Sequence, residues 1–349
     1  MKAVNIQKIA DSLSISRNTV SKVINGRGAV SPDTERKVIQ KAMELGYKKL
    51  PAKLVAEYKD IPFKSQKLNI AVVATQPDFS EFWVRIINGI ASELRNKNCN
   101  FLYNYITFEQ EKNFNSLQVL SHHDTKGIIV INVYNKEAIE RLVSTKIPIV
   151  YYDAPRNCSN TYVNGDIVLV ENQNSICEIT LHMLDQGCKK IGFIGDIMYS
   201  QSIYERWLGF INAHELRNIE VDKSFCFTES GNGHFYFDDE VEKLFTNTNN
   251  LPDAFVCAND VIAYRVMTIL AKAGIKTPRD ILISGFDDIK ESVAGEKSLT
   301  SVYVNNEEIG KRLVEQVIWR INNPLRLFET TKISTNVIFR ESTNKRPTE

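Results

Sequence analysis

Residues 5–47 read NIQKIADSLSISRNTVSKVINGRGAVSPDTERKVIQKAMELGY, and their spacing predicts three short helices. Apolar side chains recur every three or four residues from Ile6 to Leu13, which indicates one buried face. Ser16 is a suitable N-cap for a second helix, and Ser31 followed by a proline is a typical start of a third. Two helices joined by a turn of about three residues, the second with an exposed polar face, form a helix-turn-helix.

The exposed face of the predicted second helix carries side chains suited to reading DNA bases. Arg17 and Asn18 open this helix, and Lys22 follows about one turn later. Arginine can donate two hydrogen bonds to guanine, and asparagine can pair in the same way with adenine. The alternative is a three-helix bundle with an ordinary polar surface. The charge favours DNA, because residues 1–67 carry a net +8 and the remaining residues a net −7.

The same stretch resembles the DNA-binding head of the lac repressor (LacI/GalR) family. The resemblance rests on I-x-x-I-A, S-x-x-T-V-S-x-V-x-N-G, the V-S-P-D-T-E-R entry to the third helix and the closing L-G-Y. It implies a homodimeric repressor of transcription that binds a near-palindromic double-stranded DNA operator. It also implies base contacts from Arg17, Asn18 and Lys22. The implied contacts to the DNA backbone come from Ser16, Thr19, Ser21, Asn25 and Ser31.

Residues 48–67 carry two prolines and six lysines, a composition typical of a charged linker. In the family that the head resembles, this stretch forms a hinge helix on DNA and wedges an apolar side chain into the minor groove. A hinge helix is predicted after Pro51, within residues 52–58, with Leu54 or Val55 as the wedge. The alternative is a tether without a wedge, which would bind DNA but bend it less.

From residue 68 onward, short apolar runs alternate with amphipathic segments. This alternation predicts an α/β body with parallel sheets, and its length favours two doubly wound subdomains. The predicted organisation is therefore a head at 1–47, a linker at 48–67 and an effector-binding and dimerisation body at 68–349. Within the body, subdomain one is expected at about 68–168 and 300–325, and subdomain two at about 169–299 and 326–341.

Several features predict a cytoplasmic protein. The six cysteines are far apart and form no C-x-x-C pair, which indicates reduced thiols rather than a disulfide framework or a zinc site. The chain shows no secretory signal and no apolar run long enough to cross a membrane. Its last residues contain no leucine heptad, so a dimer without a tetramerising tail is expected.

Motifs of common enzymes are missing from the sequence. It contains no Gly-Lys-Ser/Thr loop, no H-E-x-x-H and no G-x-S-x-G. A non-enzymatic protein without catalytic residues, metal ligands or cofactors is therefore predicted. Two alternatives to an effector-controlled regulator stay open. One is a sugar- or nucleoside-processing enzyme with a basic appendage, and the other is a regulator controlled by a protein corepressor.

The body resembles the effector domain of the same family, which is similar to periplasmic sugar-binding proteins. The resemblance rests on N-D-x-x-A, P-x-D-I and G-F-D-D. It implies contacts to a small-molecule effector from Asp153, Arg206, Asn259 and Asp287. Phe79 and Trp83 in an aromatic loop are further candidates. A sugar is favoured, because it presents an apolar ring face to an aromatic side chain and hydroxyls to polar groups. A purine or nucleoside would suit the same aromatic side chains.

These candidates also have structural interpretations. Trp83 could pack between the subdomains, and Arg206 could pair with an acid such as Asp196. Asp287 could form a turn together with Asp288.

Overall fold

The computed structural model divides into two compact units, residues 1–67 and 68–349. The residues that it describes are 5–26, 28, 30–51, 54–55, 67–76, 80–112, 120, 124–156, 158–230, 235, 238–245, 250–289 and 298–344.

The first unit contains the three predicted helices, α1 (Ile6–Leu13), α2 (Arg17–Asn25) and α3 (Pro32–Glu44). Their inner faces meet in one small core, whose buried members are Ile9, Ala10, Val20, Val23, Ile24, Val38, Ile39 and Ala42. Each fully buried valine or isoleucine contributes about 1.5–3 kcal/mol to folding. This core therefore holds the polar face of α2 toward solvent.

Each of these helices begins at a side chain that caps its first turn. The side-chain oxygens of Asn5, Ser16 and Ser31 accept hydrogen bonds from the backbone N–H three residues later, at 2.9, 3.0 and 3.2 Å. Such caps satisfy backbone donors that the helix leaves unpaired, and each stabilises a helix by about 1 kcal/mol. The starts of the three helices are thus determined by local sequence.

The second unit alternates strands and helices along the chain. Its strands are β1 (Asn69–Thr75), β2 (Asn100–Ile106), β3 (Thr125–Ile131), β4 (Ile149–Tyr152), β5 (Asp166–Val170), β6 (Ile191–Ile194), β7 (Cys226–Phe227), β8 (Ala254–Cys257), β9 (Leu282–Ser284), β10 (Ser301–Tyr303), β11 (Thr330–Ile333) and β12 (Asn336–Ile338). Its α-helices are α4 (Glu81–Asn96), α5 (Phe108–Lys112), α6 (Lys136–Ser144), α7 (Asn160–Val163), α8 (Gln173–Asp185), α9 (Gln201–Leu216), α10 (Asp238–Leu244), α11 (Asp260–Lys272) and α12 (Asn306–Asn322). Two 3-10 turns cover Lys223–Phe225 and Glu341–Thr343.

The strands form two parallel sheets, which define two subdomains. The first sheet has the order β11-β5-β4-β3-β1-β2, and the second has the order β7-β6-β8-β9. Strands β10 and β12 pair antiparallel in a separate ribbon. In β1, β3, β4, β6 and β8 nearly every side chain is buried, as expected for parallel strands covered by helices on both faces. The predicted fold class, a helix-turn-helix head with a two-sheet α/β body, is confirmed.

One predicted subdomain boundary is wrong. Residues 326–341 were expected in subdomain two, but within this segment β11, residues Thr330–Ile333, pairs with β5 and forms an edge of the first sheet. A buried ion pair holds it there: Arg320 Nη2 lies 2.6 Å from Asp166 Oδ1. Arg320 also donates to the carbonyl oxygens of Arg326 and Leu327, just before β11. The sequence of β11 shows no apolar run typical of a buried strand, because its side chains alternate between exposed and half-buried.

Two glycines allow α4 and α12 of the first subdomain to lie unusually close. A Cβ atom on Gly89 would lie 2.2 Å from the carbonyl oxygen of Glu307, and one on Gly310 would lie 2.3 Å from that of Ile86. Real side chains do not tolerate such distances, so a larger residue would push the helices apart.

None of the helices within the described part of the chain is long and apolar enough to cross a membrane.

Candidate functional site

The exposed face of α2 presents the predicted base-reading residues. Arg17, Asn18 and Lys22 are exposed, whereas Val20 and Val23 on the opposite face are buried. A helix held by its inner face with a cationic and amide-bearing outer face can enter the major groove of DNA. The geometry is compatible with the predicted base contacts.

The residues predicted to contact the DNA backbone have local partners. Ser16 and Ser31 accept the cap hydrogen bonds through Oγ, and Ser16 Oγ lies 2.8 Å from Thr19 Oγ1. Asn25 Nδ2 donates to the carbonyl and hydroxyl oxygens of Ser21, at 2.9 and 3.1 Å. A hydroxyl that accepts a cap hydrogen bond still has its own proton to donate. These serines can therefore also donate a hydrogen bond to a DNA phosphate.

Only part of the predicted hinge lies within the described residues. Leu54 and Val55 are half-buried, and Val55 N donates to the carbonyl oxygen of Pro51 at 3.1 Å. Leu54 packs against the core of the head. To serve as a wedge in the minor groove, Leu54 would have to leave this core. The rest of the predicted hinge helix, residues 52–53 and 56–58, lies outside the described residues.

Five of the six predicted effector contacts surround one cleft at the carboxyl ends of the parallel strands. The described lining is Ser80, Phe82, Trp83, Tyr134, Tyr152, Asp153, Tyr199, Ser200, Ser202, Ile203, Arg206, Asn259, Val261 and Asp287. Crevices at this edge are where open α/β sheets bind ligands. Phe79, the sixth candidate, lies outside the described residues.

Asp153 follows β4 with a left-handed backbone (φ 64°) and bridges the two subdomains. Its Oδ1 accepts from Ala154 N at 2.8 Å and from Ser202 N at 3.1 Å, and Ser202 lies in α9 of the second subdomain. Tyr134 Oη donates to Oδ2 at 3.2 Å. Burial raises the pKa of Asp153, while hydrogen bonds with Ala154, Ser200 and Ser202 and the charge of Arg206 oppose the rise. Asp153 therefore connects the subdomains as well as lining the cleft.

Arg206 is held rigidly from the side away from the cleft. Its Nε donates to Asn172 Oδ1 at 2.9 Å and its Nη1 to the carbonyl oxygen of Ala258 at 2.7 Å. The guanidinium also lies over the ring of Phe286, 3.6 Å from its centre. Its Nη2 is directed at Asp287, with 3.7 Å to Oδ1. The possible pairing of Arg206 with Asp196 does not occur.

Asp287 is a buried carboxylate with an unused oxygen. Its backbone has φ 109°, a strained value for a residue other than glycine. Burial raises its pKa to about 7, and the positive charge of Arg206 limits this rise. Among the described residues, no donor lies within hydrogen-bonding distance of its Oδ1. A strained, incompletely paired acid facing a cleft is typical of a ligand-binding residue.

Asn259 has a structural role that the sequence did not reveal. Its Oδ1 accepts from Ile262 N at 2.9 Å and so caps α11. The carbonyl oxygen is thereby occupied, which leaves the amide Nδ2 as the group that can face a ligand.

Aromatic side chains form two walls of the cleft. Trp83 meets Phe82 and Tyr152 edge-on, with ring centres 4.9 and 5.8 Å away. On the other wall, Tyr134 and Tyr199 lie 4.6 Å apart, one from each subdomain. Sequence reasoning missed Tyr134 and Tyr199. Tyr134 could have been found because it closely follows the end of β3, but Tyr199 carried no such signal.

The cleft is closed in this structure. Its free volume is about 40 Å³, which is room for about three water molecules. Pockets that hold small ligands usually measure about 300–1,000 Å³. Tyr199 Oη donates to Asn132 Oδ1 at 3.0 Å, and Gln201 N donates to the carbonyl oxygen of Ala154 at 2.8 Å, so direct bonds between the subdomains keep it shut. A sugar ring can enter only if these contacts separate.

Comparison with known proteins gives two domain matches. Residues 5–49 match the bacterial regulatory proteins of the lacI family. Residues 180–343 match the periplasmic binding protein-like domain.

Two relatives are similar to this protein over nearly the whole length of its chain. The NTD biosynthesis operon regulator NtdR of Bacillus subtilis is 24% identical over 97% of this chain and 99% of its own length. The HTH-type transcriptional repressor PurR of Pasteurella multocida is 25% identical over 98% of this chain and 99% of its own length.

Solved structures show the same fold. A complex of the transcriptional regulator CelR with cellobiose has a TM-score of 0.68 at 19% identity, covering 97% of this chain and 99% of that chain. The lac repressor dimer bound to its operator and the anti-inducer ONPF has a TM-score of 0.66 at 18% identity, covering 98% of this chain and 99% of that chain. The chain thus combines a head that matches the lacI family of bacterial regulatory proteins with a periplasmic binding protein-like domain, and the relatives similar to it over nearly its whole length are transcriptional regulators such as NtdR and PurR.

Proposed function

We propose that this protein is a transcriptional repressor that reads its operator through α2 and responds to a small molecule in the cleft of its body. Arg17, Asn18 and Lys22 read base edges in the major groove. The observation that carries the proposal is the convergence of Trp83, Arg206 and three other predicted contacts on one cleft, in a chain with a helix-turn-helix head.

The chemistry of the cleft favours a sugar as the effector. Trp83 offers an aromatic surface for an apolar ring face, while Asp153, Asp287 and Arg206 can pair with hydroxyls. The similar CelR fold, which holds cellobiose, supports the same ligand class. We propose that the sugar is bound and released unchanged, because a relative that is similar over nearly the whole chain, PurR, is a transcriptional repressor.

Opening of the cleft links effector to DNA. Because the closed cleft has no room for a ring, the effector binds the open arrangement better and shifts the population toward it. The shift is limited by the difference in affinity between the two arrangements. The hydrogen bonds from Tyr199 to Asn132 and from Ser202 to Asp153 are the contacts that the effector must break.

We further propose a homodimer acting in the cytoplasm on a near-palindromic operator, since the two-fold axis of a dimer imposes symmetry on its half-sites. The operator-bound lac repressor dimer, which has the same fold, supports this assembly. The edge strand β2 exposes Tyr103 and Tyr105 by 43% and 44%, an aromatic surface that a second copy could cover.

The test is selection of random duplex DNA with the full chain and with Arg17→Ala, at one stated salt concentration. Enrichment of a near-palindrome by the full chain, with one position relaxed in the variant, is the expected result. The selected DNA then serves to screen sugars and nucleosides for a change in affinity. If the full chain enriches no sequence, or if the bound sugar is chemically converted, the proposed function is wrong.

A further inference from the structure

The strands of the first sheet all begin at one edge of the body. Every neighbouring pair in this sheet is parallel, so β1, β2, β3, β4, β5 and β11 share that edge. We call the five residues that precede each of these strands the amino edge. The linker joins the body here, because Lys67 lies two residues before the start of β1. The chain therefore tethers this edge, and not the opposite one, to the DNA-binding head.

The amino edge is positively charged, although the body as a whole is negative. Its described residues carry five cations and two carboxylates, whereas the described residues among the five that follow each strand carry two cations and four carboxylates. Residues 68–349 together carry a net −7. The charge of the first subdomain is thus polarised along the strand direction. The cations of the amino edge are Lys67, Arg95, Lys97, Lys146 and Arg326, and its carboxylates are Asp124 and Glu329.

Most of this positive charge is available to an external anion. Lys97 is engaged by Glu93 at 3.2 Å, and Asp124 is neutralised by Lys126 at 2.6 Å. The other four cations are exposed, and none of them forms an ion pair within the described part of the chain. A surface with several unpaired cations attracts a polyanion, and the acidic remainder of the body repels one.

Helix ends explain only part of this charge. Helices α4 and α6 end at the same edge, and cations such as Arg95 and Lys146 stabilise the negative ends of their dipoles. Arg326 lies four residues beyond the end of α12, where the dipole no longer acts. Its carbonyl oxygen accepts from the buried Arg320 Nη1 at 2.7 Å, so the backbone that carries the exposed guanidinium is fixed. A braced loop that presents a cation to solvent is suited to contact a phosphate.

From these observations we infer that the amino edge contacts the phosphates of the DNA that flanks the operator. Six strands about 4.8 Å apart make this edge about 24 Å long, and duplex DNA presents one negative charge per about 1.7 Å of its axis. Such contacts add affinity and no sequence preference. The inference rests on the proposed operator binding by α2 and adds a second DNA-contacting surface, on the body.

Two duplexes that carry the selected operator test the inference with the full chain. One ends at the half-sites, and the other extends about 20 base pairs beyond each of them. The triple variant Arg95→Gln, Lys146→Gln and Arg326→Gln should bind the long duplex about 10-fold more weakly at about 0.1 M salt. The slope of log affinity against log salt should fall by about 2–3 on the long duplex. On the short duplex, the variant should bind as the unaltered chain does.

The second sheet supplies a matched control. The triple variant Lys189→Gln, Lys223→Gln and Lys276→Gln removes the same charge from exposed side chains that lie shortly before β6, β7 and β9. The linker does not join the body at this sheet, so the control should bind both duplexes as the unaltered chain does. Thermal melting of each variant checks that it folds.

The inference is overturned if the amino-edge variant and the control lose affinity equally, if the variant loses as much on the short duplex, or if its affinity and salt slope stay unchanged. In each of these cases, selective operator binding that depends on Arg17 leaves the proposed function intact. Absence of selective binding by the unaltered chain refutes the proposed function, and the inference with it.

Discussion

Replacing Asp166 with alanine is expected to destabilise the body strongly, because it isolates a buried charge. Asp166 is 1% exposed and accepts from Arg320 Nε at 2.9 Å, Arg320 Nη2 at 2.6 Å, Gln316 Nε2 at 2.7 Å and Glu329 N at 2.9 Å. Arg320 is 2% exposed and cannot reach water without disrupting the start of β11. Removal of one partner of such a pair costs about 3–5 kcal/mol. Arg320 keeps its hydrogen bonds to the carbonyl oxygens of Arg326 and Leu327 in this variant. The expected loss of unfolding free energy therefore lies near the lower end of this range.

Urea unfolding of the full chain, followed through the transition of the body, measures this loss. A double variant, Asp166→Ala with Arg320→Met, should recover part of it, because no charge is then left buried. Asp185→Ala is the control, since Asp185 forms a comparable ion pair with Arg217 at 2.9 Å on the surface and should change little. A loss below about 1 kcal/mol for Asp166→Ala, or a double variant less stable than the single one, would refute the reasoning.

Three further predictions concern the sites. Arg17→Ala should weaken operator binding by about 1–3 kcal/mol and relax preference at one base pair; equal weakening on all sequences in a binding assay would exclude base reading. Asp287→Asn should raise the unfolding free energy by about 2–4 kcal/mol at pH 8 and by less at pH 5. The sign follows because the pKa of Asp287 in the fold, about 7, lies above its ordinary value of 3.8, so folding is penalised increasingly as pH rises between them; a gain independent of pH would contradict this. Gly310→Ala should lower stability by about 1–3 kcal/mol, because its Cβ would lie 2.3 Å from the carbonyl oxygen of Ile86; an unchanged melting temperature would show that α4 and α12 separate freely.

The head and the strand pattern were predictable because their signals are local. The caps at Asn5, Ser16 and Ser31 act on N–H groups three residues away, and the apolar stripe of α1 repeats within two turns. The strand-end rule likewise placed Asp153 and Asp287 at the edge where the cleft lies. These features depend on neighbours in the chain, so the sequence alone was sufficient to predict them.

Other features depend on partners that are distant in sequence, and only the tertiary structure decided them. The strand β11 joins the first sheet because Arg320 meets Asp166 across 154 positions, which no local pattern encodes. Helices α4 and α12 approach closely because Gly89 and Gly310 each face the backbone of the other helix, more than 200 positions apart in the sequence. The closure of the cleft likewise depends on hydrogen bonds between residues of different subdomains, such as Tyr199 with Asn132 and Ser202 with Asp153. Local sequence therefore determined which residue types stand at the strand ends, and packing determined which of their atoms remain available to a ligand.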